Sequence, residues 1–123
     1  MSESRRFVVL THDHPVLHWD LMLERGDVLR AWRLAEAPLP GVAIAAEALA
    51  DHRRKYLDYQ GPVSGERGTV VRWDAGTFCE WHETADAVIA VVNGARIQGM
   101  ITIRKSADDT WTFLLRPVTP TGE

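Results

Sequence analysis

Apolar and polar positions alternate between Leu17 and Glu24. Leu17, Trp19, Leu21 and Leu23 are apolar, His18, Asp20 and Glu24 fill the places between, and Met22 is the one interruption. A period of two is the signature of a strand with one face on a core. Phe7 to Leu10 (FVVL) reads as a preceding strand, and Asp13 to Val16, containing Pro15, as the connection between them. After the turn signal Glu24-Arg25-Gly26-Asp27, Val28 to Leu34 reads as the second arm of a β-hairpin. Ala35 to Gly41, with Pro38 and Pro40, is a loop. The Ala-rich stretch that follows predicts a short helix over residues 46–59. Gly61-Pro62, Ser64-Gly65 and Gly68 then punctuate a turn-rich segment. Further strands are expected over 69–73, 77–81, 87–92, 95–104 and 110–116, with a turn at Asp74-Ala75-Gly76 and a hairpin opening at Asn93-Gly94. Seven or eight short strands with little helix predict a mainly β fold, a small barrel or sandwich.

Composition narrows this to one domain. The chain has 123 residues, 46% of them hydrophobic, enough for a core without disulfides or a structural zinc. That domain is expected over 1–116, as a monomer, with a flexible tail over 117–123. The lone cysteine, Cys79, excludes an internal disulfide and a CxxC knuckle, which points to a reducing cytoplasm and to a small strand residue rather than a nucleophile. Trp19, Trp32, Trp73, Trp81 and Trp111 all fall in expected strands, so they are expected to fill a core or close its ends rather than stack on bases. No apolar run approaches the roughly 18 residues that would span a membrane, and residues 1–10 carry no export-type apolar segment. A net charge of −3 argues against a broad electrostatic grip on nucleic acid, although Arg53-Arg54-Lys55 forms a local basic run.

The chemistry concentrates in HDHPVLHWDLMLE. His18 and Asp20, two positions apart on a strand, point the same way at roughly 6.5 to 7 Å, and His12 can join them from the neighbouring strand. Two imidazoles and a carboxylate suit a divalent ion at about 2.0 to 2.2 Å, with Mn²⁺, Fe²⁺ and Zn²⁺ all compatible and open positions left for water or substrate. A polar outer strand face that serves only solvation is the alternative.

Several separated blocks follow in order: His12, His18-Trp19-Asp20, Leu23-Glu24, the hairpin Gly26 to Trp32, Asp51-His52 with Tyr56 and Gln60-Gly61, then Gly68-Thr69-Val70, Trp73-Asp74 and Gly76-Thr77. Together they resemble the 3′-phosphoesterase domain of bacterial DNA ligase D and its free-standing relatives. The resemblance spans Phe7 to about Leu115. It implies a closed β-barrel with a polar crater at one end and a Mn²⁺-dependent enzyme. Such an enzyme removes a terminal ribonucleoside and then the remaining 3′-phosphate from a nucleic-acid 3′ end, beside DNA-repair partners. It further implies that His12, His18 and Asp20 hold the metal and that His52 and Tyr56 lie next to the scissile phosphate. A histidine at that place is a plausible proton donor to the leaving group. His14 and His82 match nothing in the pattern and read as surface residues.

The chain departs from the family pattern where cations are concerned. Met22 stands where the family has an arginine, Glu36 aligns with a lysine, and Ile44 lies near a second arginine. A phosphate clamp re-sited to Arg33, Arg53 or Arg72 is one expectation. Another is a catalytically inactive relative that binds metal or nucleic acid, and a third, from His18-x-Asp20 with His52 or His82, is an Fe²⁺ oxygenase triad.

Overall fold

Eight antiparallel strands close on themselves, and a ninth of two residues rides on the edge. The computed structural model describes residues 5–117. In chain order the strands are β1 (Arg5–His12), β2 (His18–Arg25), β3 (Val28–Leu34), β4 (Ile44–Arg53), β5 (Gly61–Pro62), β6 (Thr69–Glu83), β7 (Ala87–Gly94), β8 (Gln98–Lys105) and β9 (Trp111–Arg116). Neighbours run β1-β2-β3-β4-β9-β8-β7-β6, and β6 pairs back onto β1 to close the barrel, with β5 on β6. The expected tail, from 118 onward, lies outside the described residues.

The alternation of β2 works as its pattern suggests. Leu21 and Leu23 point into the lumen, where they meet Phe7, Trp32, Phe78 and Phe113 in a core drawn from all eight barrel strands. Full burial of each large apolar side chain contributes about 1.5 to 3 kcal/mol. Trp32 is fully buried, while Trp19, Trp73, Trp81 and Trp111 pack against this core from its edges. The interruption at Met22 also has a cause. Met22 is on the outer face of the wall, but there a second cluster of Val8, Leu10, Leu29, Leu57 and Val70 covers it. Both faces of this part of β2 are therefore buried.

Two expectations change. The helix over residues 46–59 is absent: the segment is β4 followed by a single 3-10 turn, Arg54–Leu57. Pairing with β3 on one side and β9 on the other overrides the helical preference of alanine. Between the pairs Ala31↔Leu49 and Leu29↔His52, β4 advances three residues while β3 advances two. This bulge puts Leu49 and His52 on the same face, a three-residue spacing that imitates a helix in the sequence. The second change is at Asp74-Ala75-Gly76, which is not a turn but the middle of the 15-residue strand β6. Asp74 is buried and its carboxylate accepts the N–H groups of Ala75 (2.8 Å), Ala95 (2.9 Å), Arg96 (3.0 Å) and Ile97 (2.9 Å), so it holds the β7–β8 turn.

Candidate active site

His12 and His18 face each other across the open end of the β1–β2 pair, and Asp20 follows two residues along the same face. Their rings are 4.9 Å apart, and one ligand atom from each of the three residues lies within 4.8 Å of the others. The site is on the outside of the barrel wall, continuous with the Met22 cluster rather than with the lumen.

Backbone carbonyls set the direction of both imidazoles. His12 Nε2–H donates to Arg67 O (2.7 Å), which leaves Nδ1 turned to Asp20 Oδ2 at 3.5 Å. His18 Nδ1–H donates to Val16 O (2.8 Å), which leaves Nε2 at 3.2 Å from Asp20 Oδ1. In the neutral imidazoles both inner nitrogens therefore present lone pairs to a carboxylate. His18 Nε2 and Asp20 Oδ1 are buried and have no hydrogen-bond partner. Lone pairs that converge on one point without a proton between them repel, and a bound cation resolves that conflict. The donor set fits a divalent metal.

Beside these groups is a cavity of about 100 Å³. His12, Asp20, His52, Tyr56 and Arg67 give its polar wall, and Met22, Val63 and Val70 its apolar one. His52 reaches it because of the β4 bulge, and His52 Nδ1–H donates to Ala50 O (2.8 Å). Tyr56 is carried by the 3-10 turn, with its ring 5.8 Å from that of His52. The turn is tied to β1 and β2. Leu57 is buried in the outer cluster, Arg54 pairs with Glu24, and Arg6 pairs with Asp58 at 2.6 Å. The Arg6 hydrogen bond holds the Asp58 carboxyl below the ordinary carboxylate range and raises the Arg6 guanidinium in turn. A larger depression, about 360 Å³ on the wall of β7, β8 and β9, is lined by Ile89, Met100 and Leu114 with Arg104 and Arg116. It has no acid–base or metal-ligating side chain, so the chemistry belongs to the smaller cavity.

The sequence of this chain matches the family described as the DNA Ligase D 3′-phosphoesterase domain over residues 10–106. The chain belongs to that family. Among its relatives are the multifunctional non-homologous end joining protein LigD of Mycobacterium bovis and the multifunctional non-homologous end joining DNA repair protein LigD of Mycobacterium tuberculosis. Each is 29% identical over 119 residues. The match covers 89% of this chain but 16% of either relative, so the chain corresponds to a small part of their length.

As a 3′-phosphoesterase-family domain, the chain brings together five of the residues expected from its sequence: His12, His18 and Asp20 as one cluster, His52 and Tyr56 across the cavity from it. The three expected arginines are elsewhere. Arg33 is the cross-strand partner of Asp20 but lies outside the cavity, 3.7 Å from Glu47. Arg53 is exposed at the end of β4. Arg72 donates to Leu57 O (3.5 Å) and backs the 3-10 turn. His14 and His82 are exposed. The cavity contains instead Arg67, which sequence reasoning passes over because a single cation in Ser64-Gly65-Glu66-Arg67-Gly68 reads as a solvated turn.

Proposed function

We propose that this chain is a divalent-metal-dependent phosphoesterase acting on the 3′ end of a nucleic acid, where it removes a 3′-ribonucleoside or a 3′-phosphate. Family membership supports a phosphoesterase role. The observation that carries the metal dependence is the converging trio of His12 Nδ1, His18 Nε2 and an Asp20 carboxylate oxygen, two of whose buried atoms lack any partner. Mn²⁺ is the ion proposed, with Zn²⁺ and Fe²⁺ compatible with the same donors. When bound it would polarise a phosphoryl oxygen and lower the pKa of a coordinated water.

The chain's own groups supply the rest. The carbonyls of Arg67 and Val16 fix the ring orientation of the two histidines before any ligand arrives. His52 is pinned through Nδ1 to Ala50 O, so Nε2 is the ring nitrogen available to carry a proton to the leaving oxygen. Tyr56 lines the same cavity and offers its hydroxyl to a phosphate oxygen. Met22, Val63 and Val70 exclude water from one side, which strengthens every polar contact on the other. The end-joining and DNA-repair roles of the mycobacterial relatives support repair proteins as partners and a cytoplasmic setting. Among the described residues no helix is long and apolar enough to cross a membrane.

One observation favours a second reading, a relative that binds metal or nucleic acid without turnover. Met22, two residues from Asp20, gives the cavity an apolar wall where the family resemblance places a cation. Incubation with Mn²⁺ and end-labelled primer-templates bearing a 3′-phosphate or one 3′-ribonucleotide decides between them. Trimming that disappears in His12→Ala supports the phosphoesterase. Metal binding without trimming supports the second reading.

A further inference from the structure

We propose that Arg67 is the cationic group that grips the substrate phosphate in this cavity. This deepens the phosphoesterase reading and rests on it. Arg67 is the one lysine or arginine lining the cavity, and among the described residues its guanidinium has no carboxylate partner. The other arginines near the site are engaged or lie outside it: Arg33 beside Glu47, Arg72 on Leu57 O, Arg6 on Asp58 and Arg54 on Glu24.

The guanidinium is also held in place. Its Nε–H donates to Ser64 O (2.7 Å) and an Nη2–H donates to Ser64 Oγ (3.3 Å). Among the described residues three N–H groups remain without a partner, two on Nη1 and one on Nη2, and one from each nitrogen makes the pair of donors that matches two oxygens of a phosphate. The turn that presents Arg67 is closed by Val63 N–H to Gly68 O (2.8 Å). It is docked on the loop after His12 by Thr69 N–H to Asp13 Oδ1 (2.8 Å). Gly68 has φ +79°, and a Cβ there would collide with Asp13 Oδ1, so only glycine lets the two loops meet this closely. Through its own carbonyl on His12 Nε2, Arg67 joins the clamp to the metal-ligand cluster. A cation delivered from the β5–β6 turn thus serves where β2 carries Met22.

The test compares the parent protein with Arg67→Ala, Arg67→Lys, Arg53→Ala and, as a distant control, Arg104→Ala. Three quantities are read: hydrolysis of a 3′-phosphorylated oligonucleotide, calorimetric binding of inorganic phosphate to the Mn²⁺-loaded protein, and the visible spectrum of the Co²⁺-loaded protein. Loss of one such preorganised donor typically lowers turnover by about a hundredfold to a thousandfold, which is the drop expected for Arg67→Ala. Arg67→Lys, with the charge but not the fork, falls between it and the parent. Phosphate binding weakens in parallel, the Co²⁺ spectrum stays that of the parent, and Arg104→Ala behaves as the parent. Phosphate binding that survives in Arg67→Ala overturns the proposal, as does its loss in Arg53→Ala alone. A changed Co²⁺ spectrum in Arg67→Ala also overturns it, because the side chain then acts by holding His12 in position. If the parent hydrolyses nothing, the phosphoesterase reading fails by itself. The phosphate titration still decides whether Arg67 binds the anion, and no phosphate binding by the parent overturns the clamp.

Discussion

Asp20 and Asp74 are equally buried, each 3% exposed, yet they sit in opposite electrostatic surroundings. Asp74 is on β6 with four backbone N–H groups aimed at it, three of them from the β7–β8 turn. Its charge is fully answered by the fold, and its role is to shape that turn. Asp20 is on β2 facing two imidazole nitrogens whose other nitrogens already donate to carbonyls. No donor reaches its Oδ1. A buried carboxylate that the fold satisfies is structural, and one left facing lone pairs waits for a cation from outside. The two regions of the barrel wall therefore differ in who completes the electrostatics, the backbone or a ligand.

Asp74 and Asp20 differ most in what their loss does to stability. Asp74→Ala orphans the buried N–H of Ile97 and three part-buried N–H groups, and at about 1 to 3 kcal/mol for a buried group a loss of about 3 kcal/mol, with a Tm roughly 10 °C lower, is expected in a thermal melt. A melt within a degree of the parent would show that Asp74 does not hold the turn. Gly94→Ala strikes the same contact from the other side. Its Cβ would collide with Asp74 Oδ2 and sit 2.8 Å from Phe7 Cζ, and overpacking of this kind costs about 1 to 3 kcal/mol in denaturant titration.

Asp20→Asn is expected to move the other way. In metal-free buffer the new amide can donate to His18 Nε2 or His12 Nδ1, so apo stability is unchanged or rises by about 0.5 to 1 kcal/mol. Marked destabilisation of the apo protein would mean that Asp20, like Asp74, is structural. The smallest effect concerns the support of Tyr56. Arg6 lowers the Asp58 pKa, so this exposed pair contributes above the unfolded carboxylate pKa of about 3.9 and is lost as the pH falls through the lower folded value. Melts of the parent and Asp58→Asn across pH should differ slightly near neutrality and converge in acid.

The sequence discloses these two regions unequally. Strand β3 ends where the alternation says, at Val28 and Leu34, because its hairpin is local. The His12, His18 and Asp20 grouping was legible for the same reason: two adjacent strands with a short connection leave little freedom in register. The role of Asp74 was hidden because Asp-Ala-Gly carries turn chemistry, and only the distant β7–β8 loop converts it into a buried anchor. Strand β4 was hidden by alanine composition and by a bulge whose effect depends on β3. Arg67 was hidden because its proximity to His12 spans 55 residues and passes through a carbonyl, which no residue type records.

Whether Asp20 completes a cation site is decided by calorimetric titration of Mn²⁺ into the parent and into Asp20→Asn, with thermal melts of both. One saturable site in the parent, weakened by about a hundredfold or more in Asp20→Asn, is predicted, with Mn²⁺ at 100 times Kd stabilising the parent by about 2.7 kcal/mol and the variant far less. No binding by the parent, or equal binding by both proteins, would contradict it.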